Sequence, residues 1–240
     1  MEIEGPVSLD LPVPGTVSTI PHSSSQATAG SGRRIQARVA LLILETLRSQ
    51  DRPGEILDDE NVTLTLPRRL GLSDVIEAQI RRYTAEARRR RRVPEGEVLD
   101  LMRLVLRRPD ADEVFFRVGE LLHGPAQRPF HRRFLPRRLA LARARRRTQV
   151  RLKQSFGGRV VRAAGKGFRL EADPGLLLDE EAPGEACALI TGYANRVLAS
   201  YLPDTPPVLH PHCRGKGDER CLWRLRGDDR EDGDDAQGES

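Results

Sequence analysis

The chain has 240 residues, of which 38% are hydrophobic and 4% aromatic, and its formal net charge is +5. This composition suits a globular protein with one sizeable core or two small ones, whereas so few aromatic residues poorly supply the stacking platforms of single-strand nucleic-acid binders. No segment has the ~18 consecutive apolar residues of a membrane span, and the first residues, MEIEG, lack the basic and apolar regions of a signal peptide. We therefore expect a cytoplasmic protein with reduced thiols.

Charge is distributed unevenly along the chain. Residues 88–147 contain eighteen arginines and seven acidic residues, whereas residues 227–240 contain seven acidic residues and one arginine. The arginine runs at 88–92 and 143–147 fit either contacts with phosphate backbones or the solvated faces of helices. Thirty-seven arginines accompany only three lysines, so an arginine-rich helix is no specific sign of nucleic-acid recognition here. We favour solvated helix faces.

The first part of the chain divides into a leader and a series of helices. Residues 1–32 are rich in Pro, Ser, Thr and Gly without periodicity, which predicts a disordered leader. Apolar spacing, capping residues and proline or glycine breaks then predict helices at 33–49, 73–92, 94–108, 110–123 and 136–147. The alternating VTLTL at 62–66 predicts a short strand. Residues 33–149 thus form an arginine-rich helical region.

From residue 150 onwards, strand patterns largely replace helical ones. Alternating apolar positions around a Gly-Lys-Gly turn predict a hairpin of strands at 158–164 and 167–172. A helix is predicted at 183–202, and VLHPHC and CLWRLR predict two strands joined by the glycine-containing turn RGKGDER. The fold class is therefore α+β: a helical N-terminal half, then a small antiparallel sheet with one packed helix over 150–226. We expect both regions to form one globular unit, followed by an acidic disordered tail at 227–240.

All three cysteines lie in the last quarter of the chain, and two of them fall within the run HPHCRGKGDERC. The predicted hairpin brings Cys213 and Cys221 together at its mouth, and the preceding helix can return Cys187 to the same place. Either His210 or His212 would complete four ligands. Three cysteines and a histidine form a closed tetrahedral set for structural zinc. The spacing C-x₇-C is not the C-x-x-C knuckle, so buried free cysteines stay open as the alternative.

In the stretch 187–225, the predicted helix carries Cys187, Gly192 and Tyr193 in the pattern Cys-x-x-x-x-Gly-Tyr, and the cysteine-bearing hairpin follows it. With these features the stretch resembles the C-terminal half of the 4-vinyl reductase domain family, which has such a helix. Its hairpin, with a Gly-x-Gly-Asp-like turn and two cysteines eight residues apart, is matched by Cys213, Gly215, Gly217, Asp218 and Cys221. The resemblance implies a zinc-clamped C-terminal hairpin of the same fold.

The resemblance also implies which residues bind the zinc. They are Cys187, Cys213 and Cys221, with His210 in the place of the glutamate found in the phenol-sensing members of the family. Residues 210 and 213 face opposite sides of a regular strand, so ligation by His210 requires a bulge, which Pro211 favours. His212 is the rival fourth ligand.

A binding role follows from the same resemblance, because several members of the family are regarded as sensors of small molecules or hydrocarbons. We expect a non-catalytic, zinc-stapled homodimer that binds a small hydrophobic or aromatic ligand or a protein partner. The candidate ligand contacts are Phe115, Phe116, His131, Phe156 and Phe168, and the aromatic ones are equally candidates for plain core.

Two other functions stay open. The name of the family suggests a reductase-type enzyme, but the chain has no dinucleotide-binding, phosphate-binding or nucleophile motif. Nucleic-acid binding through the arginine-rich helices is the second alternative, and it requires steep salt dependence. We expect no nucleic-acid partner.

Overall fold

A computed structural model of the chain describes residues 32–50, 74–124, 135–165, 167–172 and 184–227. These residues form six α-helices and two antiparallel sheets, which confirms the predicted α+β class. The helices are α1 (Ala37–Gln50), α2 (Asp74–Arg88), α3 (Glu95–Leu106), α4 (Ala111–His123), α5 (Arg137–Phe156) and α6 (Cys187–Tyr201). The strands are β1 (Arg34–Gln36), β2 (Arg92–Pro94), β3 (Val161–Ala163), β4 (Arg169–Ala172), β5 (Val208–His212) and β6 (Leu222–Leu225).

Several predictions fall on other parts of the chain. Nearly all of the leader predicted at 1–32, the strand predicted at 62–66, His131 and most of the tail predicted at 227–240 lie outside the described residues. None of the helices that are described has the length and apolarity that a bilayer crossing requires.

Strands β1 and β2 form a small antiparallel sheet that the sequence patterns do not predict. Ile35 pairs with Val93, and both side chains are buried. The helix predicted from residue 33 therefore begins at Ala37 instead. Each strand has three residues, too few for a detectable alternation, and the pairing joins segments that are distant in sequence. Local patterns carry no signal for such a pairing.

Helix α5 is longer than predicted, because it continues beyond residue 147 to Phe156. Along one face, buried residues recur every four positions: Ala140, Ala144, Thr148 and Leu152. Gly157 then takes a left-handed conformation, with φ 72°, and ends the helix. Three members of this buried face are Ala or Thr, so the arginines around them obscure the apolar stripe in the sequence.

The larger sheet has the strand order β3-β4-β6-β5, and every pairing in it is antiparallel. Both predicted hairpins are present, and β6 joins them by pairing with β4 as well as β5. Helix α6 is hydrogen-bonded to this sheet. The amide of Val208 donates to Oδ1 of Asn195 at 2.7 Å, and Nε1 of Trp223 donates to Oγ1 of Thr191 at 3.0 Å.

Helices α4 and α6 cross at two glycines. A Cβ on Gly119 would overlap the carbonyl oxygen of Leu189, and a Cβ on Gly192 would overlap that of Phe116. Since the obstructing atoms are backbone, they cannot rotate away as a side chain would. The close crossing fixes the position of α6 against the helical half of the chain.

One hydrophobic core extends through both predicted regions. It includes Phe115 from α4 and Phe156 from α5, together with Phe168 and Trp223 from the sheet side. All four side chains are completely buried. The helices and the sheet therefore share their packing, and α6 lies between them with contacts to both.

Candidate metal centre

The three cysteines and His210 converge from three segments of the chain. Cys187 is the first residue of α6, His210 lies in β5, and Cys213 and Cys221 flank the turn that connects β5 to β6. One ligand atom from each of the four residues lies within 4.8 Å of all the others. The sequence-predicted ligand set is thus brought together in space.

The sulfur spacing matches a tetrahedral metal site. Sγ of Cys187 lies 3.9 Å from Sγ of Cys213 and 3.8 Å from Sγ of Cys221. All three cysteines are buried and free, since a disulfide would need about 2.05 Å. Zinc–sulfur bonds of about 2.3 Å in a tetrahedron separate the sulfurs by about 3.8 Å. Both distances from Cys187 therefore suit a zinc ion bound by these residues.

A bulge in β5 turns His210 towards the cysteines. Leu209 pairs with Arg224 and His212 pairs with Leu222, so that two residues of β5 face the single residue Trp223. The imidazole of His210 stacks on the indole of Trp223, with ring centroids 4.5 Å apart and planes 14° apart. This irregularity is the bulge that ligation by His210 requires.

Nε2 of His210 is buried and has no hydrogen bond of good geometry with a described residue, although the imidazole acts on Sγ of Cys221 closely enough to help lower the pKa of that thiol. A buried polar atom without a partner costs roughly 1–3 kcal/mol. A metal ion bound by this nitrogen would remove that cost. The poorly satisfied nitrogen therefore supports His210 as the fourth ligand.

The turn between Cys213 and Cys221 is held by Asp218. The amide of Cys213 donates to Oδ2 of Asp218 at 2.6 Å, which lowers the pKa of that carboxyl group. Gly217, with φ 96°, supplies the left-handed residue that the turn needs. His212 points to the same carboxylate, with Nδ1 3.6 Å from Oδ1, and its side chain is half exposed. His212 thus belongs to the turn and not to the cysteine cluster.

The pKa values of the three thiols shift in different directions. A hydrogen bond from Cys187 lowers the pKa of Cys221 to about 4, and the same bond raises the pKa of Cys187. Burial raises the pKa of Cys213. The amide of Arg214 also donates to Sγ of Cys221, at 3.3 Å. A divalent cation among these sulfurs would favour the thiolate form of all three.

Sequence reasoning missed two features that shape this centre. Gly184 packs against Cys213, since a Cβ added to it would lie 2.8 Å from Sγ of that cysteine. In the sequence, the Pro-Gly pair at 183–184 indicates only a helix start. The other is the contact of Arg220, the residue before Cys221, which binds Oε1 of the buried Glu171 at 2.9 Å.

The predicted ligand contacts lie elsewhere. Phe115, Phe156 and Phe168 are completely buried in the core, and Phe116 is partly buried on α4. None of these four phenylalanines lines either of the two cavities that Arg38 borders. The first, the arginine cavity, has a volume of about 190 Å³ and is lined by Gln36, Arg38, Leu122, His123, Arg147, Arg151, Gln154, Ser155 and Tyr193. The second, the leucine groove, has a volume of about 360 Å³ and is lined by Arg38, Leu42, Arg117, Glu120, Leu121, Gly124 and Arg196.

Comparisons with protein-family models, with curated proteins and with solved structures found no match for this chain. The resemblance to the 4-vinyl reductase domain family rests on the residues quoted from 187–225. The candidate metal centre rests on its own geometry.

Proposed function

We propose that the protein is a non-catalytic, zinc-stapled binding module of the 4-vinyl reductase domain type. The observation that carries this proposal is the convergence of Cys187, His210, Cys213 and Cys221, whose ligand atoms lie within 4.8 Å of one another. Thiolate and imidazole ligands bind zinc in preference to harder cations such as Mg²⁺ and Ca²⁺. Four protein ligands leave no coordination position for a substrate, which is the mark of a structural site.

The zinc would act as a cross-link between α6 and the β5–β6 hairpin. Cys187 begins α6, whereas Cys213 and Cys221 belong to the hairpin, so one ion joins two elements that are separate in the chain. Because the unfolded chain has no preformed site, the binding free energy contributes to folding. The function assigned to the metal is therefore to hold the sheet against α6.

A ligand or partner role is supported by the resemblance and by one feature of the surface. The leucine groove is lined by Leu42 and Leu121 together with four charged residues, and its volume of about 360 Å³ lies in the range of small-molecule sites. We extend the proposal to a small hydrophobic ligand or a protein partner, a homodimeric state and a reducing, cytoplasmic environment. Thermal-shift measurements with aromatic compounds test the ligand, and sedimentation analysis tests the dimer.

The metal is tested by a matched pair of histidine variants. Elemental analysis of the purified protein should find about one zinc per chain. His210→Ala should lose most of the zinc, because it removes one of the four clustered ligands, whereas His212→Ala should retain it, because His212 lies beside Asp218 and outside the cluster. Cobalt substitution gives a second measurement, since tetrahedral cobalt thiolates absorb strongly.

Two results would contradict this assignment. One is wild-type protein that contains no metal when purified without chelator, which would leave the cysteines as buried free thiols. The other is equal zinc loss in both histidine variants, which would show that the fourth ligand is not His210.

A further inference from the structure

The arginine cavity is lined by residues from β1, α1, α4, α5 and α6. Arg38 comes from α1, Leu122 and His123 from α4, and Tyr193 from α6, while α5 supplies four of the lining residues. On α5, Arg147, Arg151 and Ser155 follow one another at intervals of four and so share one helix face. No acidic residue lines the cavity. The cavity is therefore concave, polar and positively charged.

The three arginines of this cavity lack a carboxylate partner in the part of the chain that the structure describes. Arg38 donates to the carbonyl oxygen of Leu121 at 3.0 Å, and Arg151 lies 3.4 Å from Oε1 of Gln154. The buried Nε of Arg147 has no hydrogen-bond partner among the described residues. Arg147 and Arg151 thus line the arginine cavity without an acidic partner among the described residues, and Arg38 lines both this cavity and the leucine groove.

Elsewhere in the described residues, several arginines pair with acids, whereas Arg34, Arg92 and Arg145 bond backbone carbonyl oxygens. Arg82 binds Glu97, and Arg108 binds Asp110 through two nitrogens. Glu171 is held by two arginines at once. Helix α5, in contrast, contains no acidic residue, so like charges at 147 and 151 repel each other along its face. Repulsion that weakens a helix, with no compensating gain in stability, is expected at a site where a ligand binds.

The pKa of Tyr193, which also lines the cavity, is affected by the same positive charges. Its side chain is only 3% exposed, and burial raises its pKa to about 12, whereas the charges of Arg151, Arg147 and Arg38 act in the opposite direction. Tyr193, the buried Ser155, Gln36 and Gln154 also line the cavity, and each of these side chains carries a neutral donor. The lining therefore offers charged and neutral donors to an acceptor-rich ligand.

We propose that the arginine cavity binds a small dianionic oxyanion, with inorganic phosphate as the simplest member of the class. Arginine side chains bind phosphate oxygens in pairs and remain charged at every physiological pH. A volume of about 190 Å³ lies below the roughly 300–1,000 Å³ of sites for drug-sized ligands, so the site accepts a phosphate-sized group and not a whole nucleotide. This site is separate from the cysteine cluster and does not depend on the proposed metal.

The test is a calorimetric titration of the full-length protein with inorganic phosphate at constant ionic strength. Saturable binding is expected below about 10 mM phosphate. Arg147→Gln should weaken it at least about tenfold, because a charged hydrogen bond is lost. The matched control is Arg146→Gln, which removes the same charge from the preceding, exposed position of α5. Its affinity for phosphate should stay within about twofold of the wild-type value.

Two further measurements distinguish the arginine cavity from nonspecific anion binding at the basic surface. Arg151→Gln repeats the test at an exposed guanidinium group if Arg147→Gln fails to fold. Acetate at the same ionic strength should bind at least about tenfold more weakly than phosphate, because it carries a single charge. Zinc content should be unchanged in every arginine variant, which separates this proposal from that of the metal centre. Absence of saturable binding, equal losses at 146 and 147, or equal affinity for acetate would overturn it.

Discussion

The cysteine cluster and the arginine cavity are two polar sites on the same helix, α6, and they handle charge in opposite ways. In the cluster, the ligand atoms of Cys187, His210, Cys213 and Cys221 face one another, and the three cysteines are buried. In the arginine cavity, charged groups of one sign face a shared space with no acidic residue in its lining. The first site closes on itself, whereas the second is open to an external anion.

This difference separates a structural role from a binding role. A centre with four protein ligands uses all its coordination positions for the fold. Guanidinium groups that have only neutral contacts keep their capacity for a charge-assisted hydrogen bond. Because Cys187 and Tyr193 are both on α6, a change in the helix should affect both sites, and a change in one site should leave the other intact. The following predictions test that separation.

The largest effect is expected from Cys213→Ser. Loss of this ligand should remove the zinc and lower the free energy of unfolding by about 4 kcal/mol or more, because metal binding is linked to folding. Urea denaturation followed by the fluorescence of Trp223 measures it. A chelator should reproduce the loss in the wild type and add little to the variant. Unchanged metal content and stability would contradict the structural role of the cluster.

A somewhat smaller loss of stability, about 3 kcal/mol, is expected for Gly192→Ala. The new Cβ would overlap the carbonyl oxygen of Phe116 and force α4 and α6 apart. Both zinc content and phosphate affinity should fall, because both sites depend on the position of α6. The control is Gly96→Ala in α3, where a Cβ meets nothing within 4 Å and alanine should stabilise the helix by up to about 1 kcal/mol. Equal effects of the two substitutions would show that the crossing is not tight.

The smallest effect is expected from Tyr193→Phe, which removes one neutral donor from the arginine cavity. Phosphate affinity should fall about fivefold, because losing one hydrogen bond costs about 1 kcal/mol of binding free energy. Zinc content should not change, since Tyr193 does not line the cysteine cluster. A calorimetric titration beside zinc analysis measures both. Unaltered phosphate affinity would place the tyrosine outside the binding site.

Sequence patterns predicted much of the C-terminal part, including the α6 helix, both hairpins and the need for a bulge before Cys213. These features are local: proline and glycine breaks, alternating apolar residues and the spacing of cysteines lie within short stretches. Sequence reasoning also offers Phe115, Phe156 and Phe168 as ligand contacts, whereas the structure puts their side chains in the core. An aromatic residue has the same local signature in both situations.

What the sequence determined by itself was the α+β class, the gathering of every cysteine near the C-terminus and the strongly basic middle of the chain. Only the tertiary structure decided that His210 rather than His212 joins the cysteines, since that choice depends on the pairing of β5 with β6. It also decided that Arg38, Arg147 and Arg151 share one cavity with Tyr193. Contacts between distant segments arise from packing and strand register, and neither leaves a periodic trace in the residues that take part.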